Sequence, residues 1–157
     1  MGLDVKTYGN IKLSKNEEDA DFSAFVTNEA WSSKIKNLQE GKLYSGDIVF
    51  IGVSYTYSEH RRFREKLIKL VGREDLLDEG GKIRWDELSA ETPFYDLINF
   101  ADNDGCLDWE ISATIYADFK KYDEKARLEM DEYDYHNFET WEKTFKSAKN
   151  GGVVVFS

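Results

Sequence analysis

Asp47-Ile48-Val49-Phe50-Ile51-Gly52-Val53, continued by Ser54-Tyr55-Thr56-Tyr57-Ser58-Glu59-His60-Arg61-Arg62-Phe63-Arg64, is the stretch from which the fold is best read. Its first half carries the apolar run Ile48 to Ile51, which has the length and β-branched character of a central strand. Its second half changes period. Phe63, Leu67, Leu70 and Val71 recur at i, i+4, i+7 and i+8, which is one face of a helix. Thr56 and Glu59 form a capping box for that helix, and Gly72 supplies its C′ residue. A strand therefore runs straight into a helix at Tyr55–Tyr57.

Outward from this junction, Leu3 to Tyr8 alternates as a half-buried strand. Lys42 to Tyr44 reads as another strand, turned into Asp47–Val53 at Ser45-Gly46 or Gly46-Asp47. Trp31 to Glu40 fits a short helix or irregular chain, Arg73 to Leu77 a turn, and Lys82 to Trp85 a brief strand. Thr92 as N-cap and Pro93 at N1 start a helix with Phe94, Leu97 and Ile98 on its apolar face. Asp108 caps the next, with Ile111, Ile115, Phe119 and Tyr122 at helical spacing. Asn137 caps the last, with Phe138, Trp141, Phe145 and Ala148 on one face. Gly151-Gly152 ends it, and Val153 to Phe156 reads as a strand beside Ile48–Ile51. The order predicts an α+β fold, a small mixed or antiparallel sheet with about four helices packed on one face.

Composition narrows the function classes. A chain of 157 residues, 41% hydrophobic and 15% aromatic, fits a single domain over 1–157 with its own core. Asp and Glu number 31 against 21 Lys and Arg, for a net charge of −10. That balance gives no global attraction for nucleic acid or an anionic membrane, so no nucleic-acid partner is expected. The lone Cys106 excludes a disulfide framework and a Cys-based zinc site, and His60 and His136 are the only histidines. No apolar run reaches the ~18 residues of a membrane span. The polar opening does not read as a signal peptide, and Lys6 stands where the myristoylation pattern needs Ser or Thr. A cytoplasmic protein without a cofactor or metal is expected.

Three clusters carry chemistry. The first is Tyr55, Tyr57, Ser58, His60, Arg61, Arg62 and Arg64. Cations in a helical first turn oppose the helix dipole and cost a few tenths to ~1 kcal/mol, which points to an anion held by N–H groups and guanidinium forks. Tyr55 and Tyr57 would stack a base. Ordinary pairing of these arginines with surplus carboxylates is the competing reading. The second cluster, Asn99 to Asp108, is rich in oxygen ligands, but its register fails the EF-hand pattern. Helix capping and a turn account for it, and no metal is assigned. Asn99 and Asp102 remain as groups that would read ring or ribose edges. The third is the acidic stretch Asp123, Glu124, Glu129, Asp131, Glu132, Asp134, Glu139 and Glu142. It is either a solvated face or a surface that blocks a basic groove on another protein. No phosphate loop, catalytic triad or paired-carboxylate signature is present.

Met1-Gly2-Leu3-Asp4-Val5, Ser54-Tyr55-Thr56-Tyr57-Ser58 with Arg62-Phe63-Arg64-Glu65, Pro93 to Phe100, and Gly151-Gly152-Val153-Val154-Val155-Phe156 resemble a family of small uncharacterised proteins from tailed phages, prophages and their bacterial hosts. Where relatives carry a cysteine in a Ser-Asp-Cys-Glu-Gly-like stretch, this chain has Asn103. The resemblance implies a setting in which small proteins inhibit host defence by binding a signalling nucleotide or a defence protein. The leading expectation is capture of a phosphorylated nucleotide without turnover. The alternatives are an acidic protein-binding inhibitor of a host defence or nucleic-acid enzyme, and a nucleotide hydrolase using His60 or Asp102. The strand Val153–Phe156 leaves pairing within the domain and pairing across a homo-oligomer both open.

Overall fold

Alternation, capping and helical periodicity place most elements where the sequence puts them. The structure, a computed structural model, describes residues 2–24, 36–99 and 105–157. The strands are β1 (Gly2–Leu13), β2 (Phe22–Ser23), β3 (Leu43–Thr56), β4 (Gly105–Leu107) and β5 (Val153–Phe156). They form one antiparallel sheet in the order β2-β3-β1-β5-β4. The helices among the described residues are α1 (Tyr57–Leu70), α2 (Tyr95–Asn99), α3 (Trp109–Glu129) and α4 (Glu132–Ala148). The α+β expectation holds.

On β1, Leu3 and Val5 turn toward the helices and Asp4 away, as the alternation requires. Thr7 shares the helix side, and its hydroxyl donates to the Thr144 carbonyl of α4 at 3.3 Å. The helices close over this face with an aromatic core. Phe119 meets Phe94 and Phe138 at ring distances of 4.7 and 4.8 Å, and Trp141 lies 5.7 Å from Phe145 and 5.8 Å from Phe156. A smaller cluster of Tyr8, Phe22, Ala24, Tyr44, Cys106 and Val153 accounts for the buried Cys106.

The caps explain the helix ends. Thr56 and Glu59 make the expected box: the Thr56 hydroxyl accepts from the Glu59 N–H at 3.1 Å, and the Glu59 carboxylate accepts from the Thr56 N–H at 2.8 Å. Gly72 and Arg73 N–H groups donate back to the Lys69 and Ile68 carbonyls and close α1. Asp108 accepts from the Glu110 and Ile111 N–H groups at the start of α3.

Several expectations are corrected. Ser45-Gly46 is not a turn, because β3 runs unbroken through it. A Cβ at Gly46 would lie 2.7 Å from the Gly9 carbonyl oxygen, so glycine is required there for strand approach. Nor is Ile48–Ile51 central. β2 pairs only with Leu43 and Tyr44, which leaves the rest of β3 on the edge. Val153–Phe156 pairs with β1 and β4, one strand removed from Ile48–Ile51. The helix expected at Thr92-Pro93 starts at Tyr95 instead. Phe94 takes a left-handed φ of 63° to enter the aromatic core, with its N–H bound to the Asp118 carboxylate at 2.9 Å. The last helix begins at Glu132 rather than after Asn137, because Asp131 caps it by accepting from the Asp134 N–H at 2.8 Å. Ile83 makes only an isolated bridge to Leu77, and Trp85–Glu87 is a 3-10 turn. Most of Trp31–Glu40 lies outside the described residues.

Candidate functional site

The strand-to-helix junction is where the sequence concentrates its polar chemistry, and the fold takes much of it inside. Tyr55 is the last residue but one of β3, and His60 sits on the inner face of α1, fully buried. The indole N–H of Trp141 donates to the Tyr55 hydroxyl at 3.0 Å, and that hydroxyl lies 2.7 Å from His60 Nδ1. The Tyr55 hydroxyl accepts from the indole, and the imidazole tautomer sets whether it donates to Nδ1 or accepts from it. Nε2 has no hydrogen-bond partner among the described residues. Burial, then the Arg64 charge, holds the His60 pKa well below the ordinary imidazole value, so the ring is neutral. Burial also raises the Tyr55 phenol. This trio ties β3, α1 and α4 together.

The arginines do not converge. Capping at Thr56 makes Tyr57–His60 the first turn of α1, with Glu59 as its acidic residue, so Arg61 and Arg62 fall in the second turn. The expected conflict with the helix dipole is therefore absent. Arg61 and Arg62 are exposed, whereas Arg64 is buried. Arg64 Nη1 donates to the Ile98 carbonyl at 3.0 Å, near the end of α2, and the guanidinium lies 5.4 Å from the centre of the Trp85 ring. A five-residue helix leaves such carbonyls without internal partners, and an arginine satisfies this one. Tyr57 packs against the core, and Ser58 is exposed. Asn99 Nδ2 donates to the Tyr95 hydroxyl at 3.2 Å. Asp102 lies outside the described residues. Among the described residues no three His, Cys, Asp or Glu side chains gather around a metal position, and no helix is long and apolar enough to cross a membrane.

Four cavities stand out, none of them lined by His60, Arg61, Arg62 or Arg64, and they differ in charge. One of about 490 Å³ mixes Lys66 and Lys69 with Glu74, Glu129 and Asp134, and Lys66 pairs with Asp134 across it. Another, of about 250 Å³ between α3 and α4, mixes Lys120, Arg127 and Lys143 with Asp123, Glu139 and Glu142. There Arg127 pairs with Asp123 at 3.1 Å and Lys120 with Glu142 at 3.7 Å. The other two contain no lysine or arginine. A hollow of about 680 Å³ is lined by Asp131, Glu132, Tyr133, Tyr135, His136 and Glu139. A groove of about 280 Å³ runs between Gly52–Tyr55 of β3 and Tyr133, His136, Asn137 and Thr140 of α4, with Glu59 at its end. The two share Tyr133 and His136 and form one continuous surface.

Tyr133 is its centre. It is 51% exposed, and its hydroxyl donates to Glu59 at 2.5 Å. That bond, ahead of the Thr56 contacts, holds the Glu59 pKa below the ordinary carboxylate value and keeps the group charged. Glu132 and Glu139 have no ion pair among the described residues.

No protein-family model, curated protein or solved structure matches this chain.

The acidic stretch thus divides by geometry. Asp123, Glu129, Asp134 and Glu142 face cations, Asp131 caps α4, Glu124 is exposed, Glu132 lies on the Tyr133 surface, and Glu139 lies between that surface and the cavity of Lys120, Arg127 and Lys143. Sequence reading placed the carboxylates but overlooked Tyr133, Glu59 and His136 as neighbours. Only the i, i+3 spacing of Tyr133 and His136 in α4 hints at a shared face, and their closeness to β3 is tertiary.

Proposed function

We propose that this chain is a protein-binding module whose contact surface is the carboxylate-rich tyrosine face at the start of α4. The observation that carries this reading is the half-exposed Tyr133 set among Glu59, Asp131, Glu132 and Glu139, in two joined cavities whose lining holds no lysine or arginine; Arg62, Lys66 and Arg127 act on Glu59, Asp131 and Glu139 from nearby without forming ion pairs with them among the described residues. Amphipathic aromatics bury large area at low entropic cost, and an unbalanced set of like charges steers a partner of opposite sign. A lysine- or arginine-rich surface meets both demands. The resemblance to phage proteins would make the partner a host defence or nucleic-acid enzyme and this chain its inhibitor. Capture of a phosphorylated nucleotide is less well supported, since Arg64 is committed to the Ile98 carbonyl while Arg61 and Arg62 stand exposed.

The test compares wild type with Glu132→Gln/Glu139→Gln as immobilised baits in bacterial lysate at low and high salt. One basic protein retained by the wild type at low salt, released by salt and lost from the double variant is the expected result. Equal retention of the same protein by both baits, or a nucleotide released on denaturing the purified chain, would overturn the reading.

A further inference from the structure

The outer edge of β3 from Asp47 to Tyr55 has no strand partner among the described residues. Edge strands are normally guarded by lysine, proline or covering loops. Here the nine residues hold one charge, Asp47, and no proline. Among the described residues their only guard is irregularity, since the register against β1 shifts between Thr7/Tyr8 and between Asp4/Lys6. Ile48, Val49 and Ile51 are 51, 49 and 67% exposed along this edge. The cation-free groove opens on the same edge, between Gly52–Tyr55 and α4.

We propose, resting on the protein-binding reading, that the partner supplies an extended segment which adds as a strand to this edge. Alternate apolar residues of the segment would pack on Ile48 and Ile51, and a lysine or arginine would enter the groove beside Glu59. Strand addition draws affinity from main-chain hydrogen bonds and specificity from pockets for alternate side chains, and this edge offers both. The charge selects the occupant. The groove holds Glu59 and no cation, while Asp47 and Asp21, whose carboxylate accepts from the Gly46 N–H at 2.9 Å, stand at the other end of the edge. A second copy of this chain fits poorly. Two-fold antiparallel pairing would set the Glu59 end of each copy against Asp21 and Asp47 of the other, between chains of net charge −10. Three half-exposed aliphatic side chains per copy also fall short of the roughly 1,200 Å² that a stable pair of folded subunits buries.

The probe is a blocked peptide alternating valine with lysine and arginine, set against the same peptide with glutamate in place of the basic residues. Affinity is read by fluorescence anisotropy and location by amide hydrogen exchange. The basic peptide is expected to bind at least tenfold tighter than the acidic one and to slow exchange at alternate amides between Ile48 and Ser54. Ile51→Lys, at an exposed position that leaves the fold intact, should weaken it at least tenfold, while Leu128→Lys on α3 should leave it unchanged. Binding that protects α4 but not β3 would overturn strand addition and leave the protein-binding reading standing. Equal affinity for both peptides, no binding, or a concentration-dependent dimer formed through β3 would each overturn the proposal.

Discussion

The Tyr55–Arg64 junction and the Tyr133 surface lie side by side on β3, yet they use polar residues in opposite ways. At the junction His60, Tyr55 and Arg64 are turned inward, where the Tyr55 hydroxyl bonds His60 Nδ1 and the Trp141 indole and Arg64 donates to the Ile98 carbonyl. At the Tyr133 surface Glu132 is exposed, and neither Glu132 nor Glu139 forms an ion pair among the described residues. The group that looks reactive in sequence is holding the fold, and the group that looks like a solvated face is left available. What separates them is burial, which turns a polar side chain into a structural bond or a large penalty.

The comparison breaks if removing junction groups leaves the fold intact. Trp141→Ala should have the largest effect. It empties a fully buried position stacked between Phe63, Phe145 and Phe156, and a loss of about 4 kcal/mol in urea unfolding is expected. Tyr55→Phe strips one hydroxyl from two buried partners, the Trp141 indole N–H and His60 Nδ1. At ~1–3 kcal/mol for each orphaned group, with some relaxation, a loss of about 3 kcal/mol is expected from the same measurement.

Acid sharpens the contrast. His60 stays neutral in the folded state, its pKa depressed by burial, whereas the unfolded chain takes up a proton near the ordinary imidazole value of 6.5. The unfolded state then binds more protons below that value. Stability from this group is full well above pH 6.5 and falls as pH drops through that value, by up to about 1.4 kcal/mol per pH unit. Unfolding midpoints between pH 7.5 and 5 should show this slope, and His60→Gln should lose that component. Identical slopes would remove His60 from the account. Smallest of all, Glu132→Gln should move stability by no more than about 0.5 kcal/mol in thermal unfolding, since the side chain has no ion pair among the described residues.

The fold was legible wherever a local rule was enough. The Thr56–Glu59 box, the Asp108 cap and the faces of α3 and α4 follow from spacing alone. Ile48–Ile51 reads as central because an apolar run is the same string on an edge as in the centre of a sheet. Which of these it is depends on β2 stopping after two residues. Asp131 was missed as a cap because one more aspartate in an acidic run gives no contrast, whereas Asn137 does. The candidate surface was the least legible part. It joins Glu59 on α1 to Tyr133 on α4 across 74 residues of sequence, a contact that no local pattern encodes.

The most direct test of the central claim sets two charge changes against each other in one titration. The basic alternating peptide is titrated calorimetrically into Glu132→Gln/Glu139→Gln and into Arg61→Gln/Arg62→Gln. Affinity should fall at least about tenfold for the carboxylate variant and be unchanged or higher for the arginine variant, since Arg62 acts on Glu59 and Tyr133. The reverse order, with the carboxylate variant binding as well as wild type, would contradict the account.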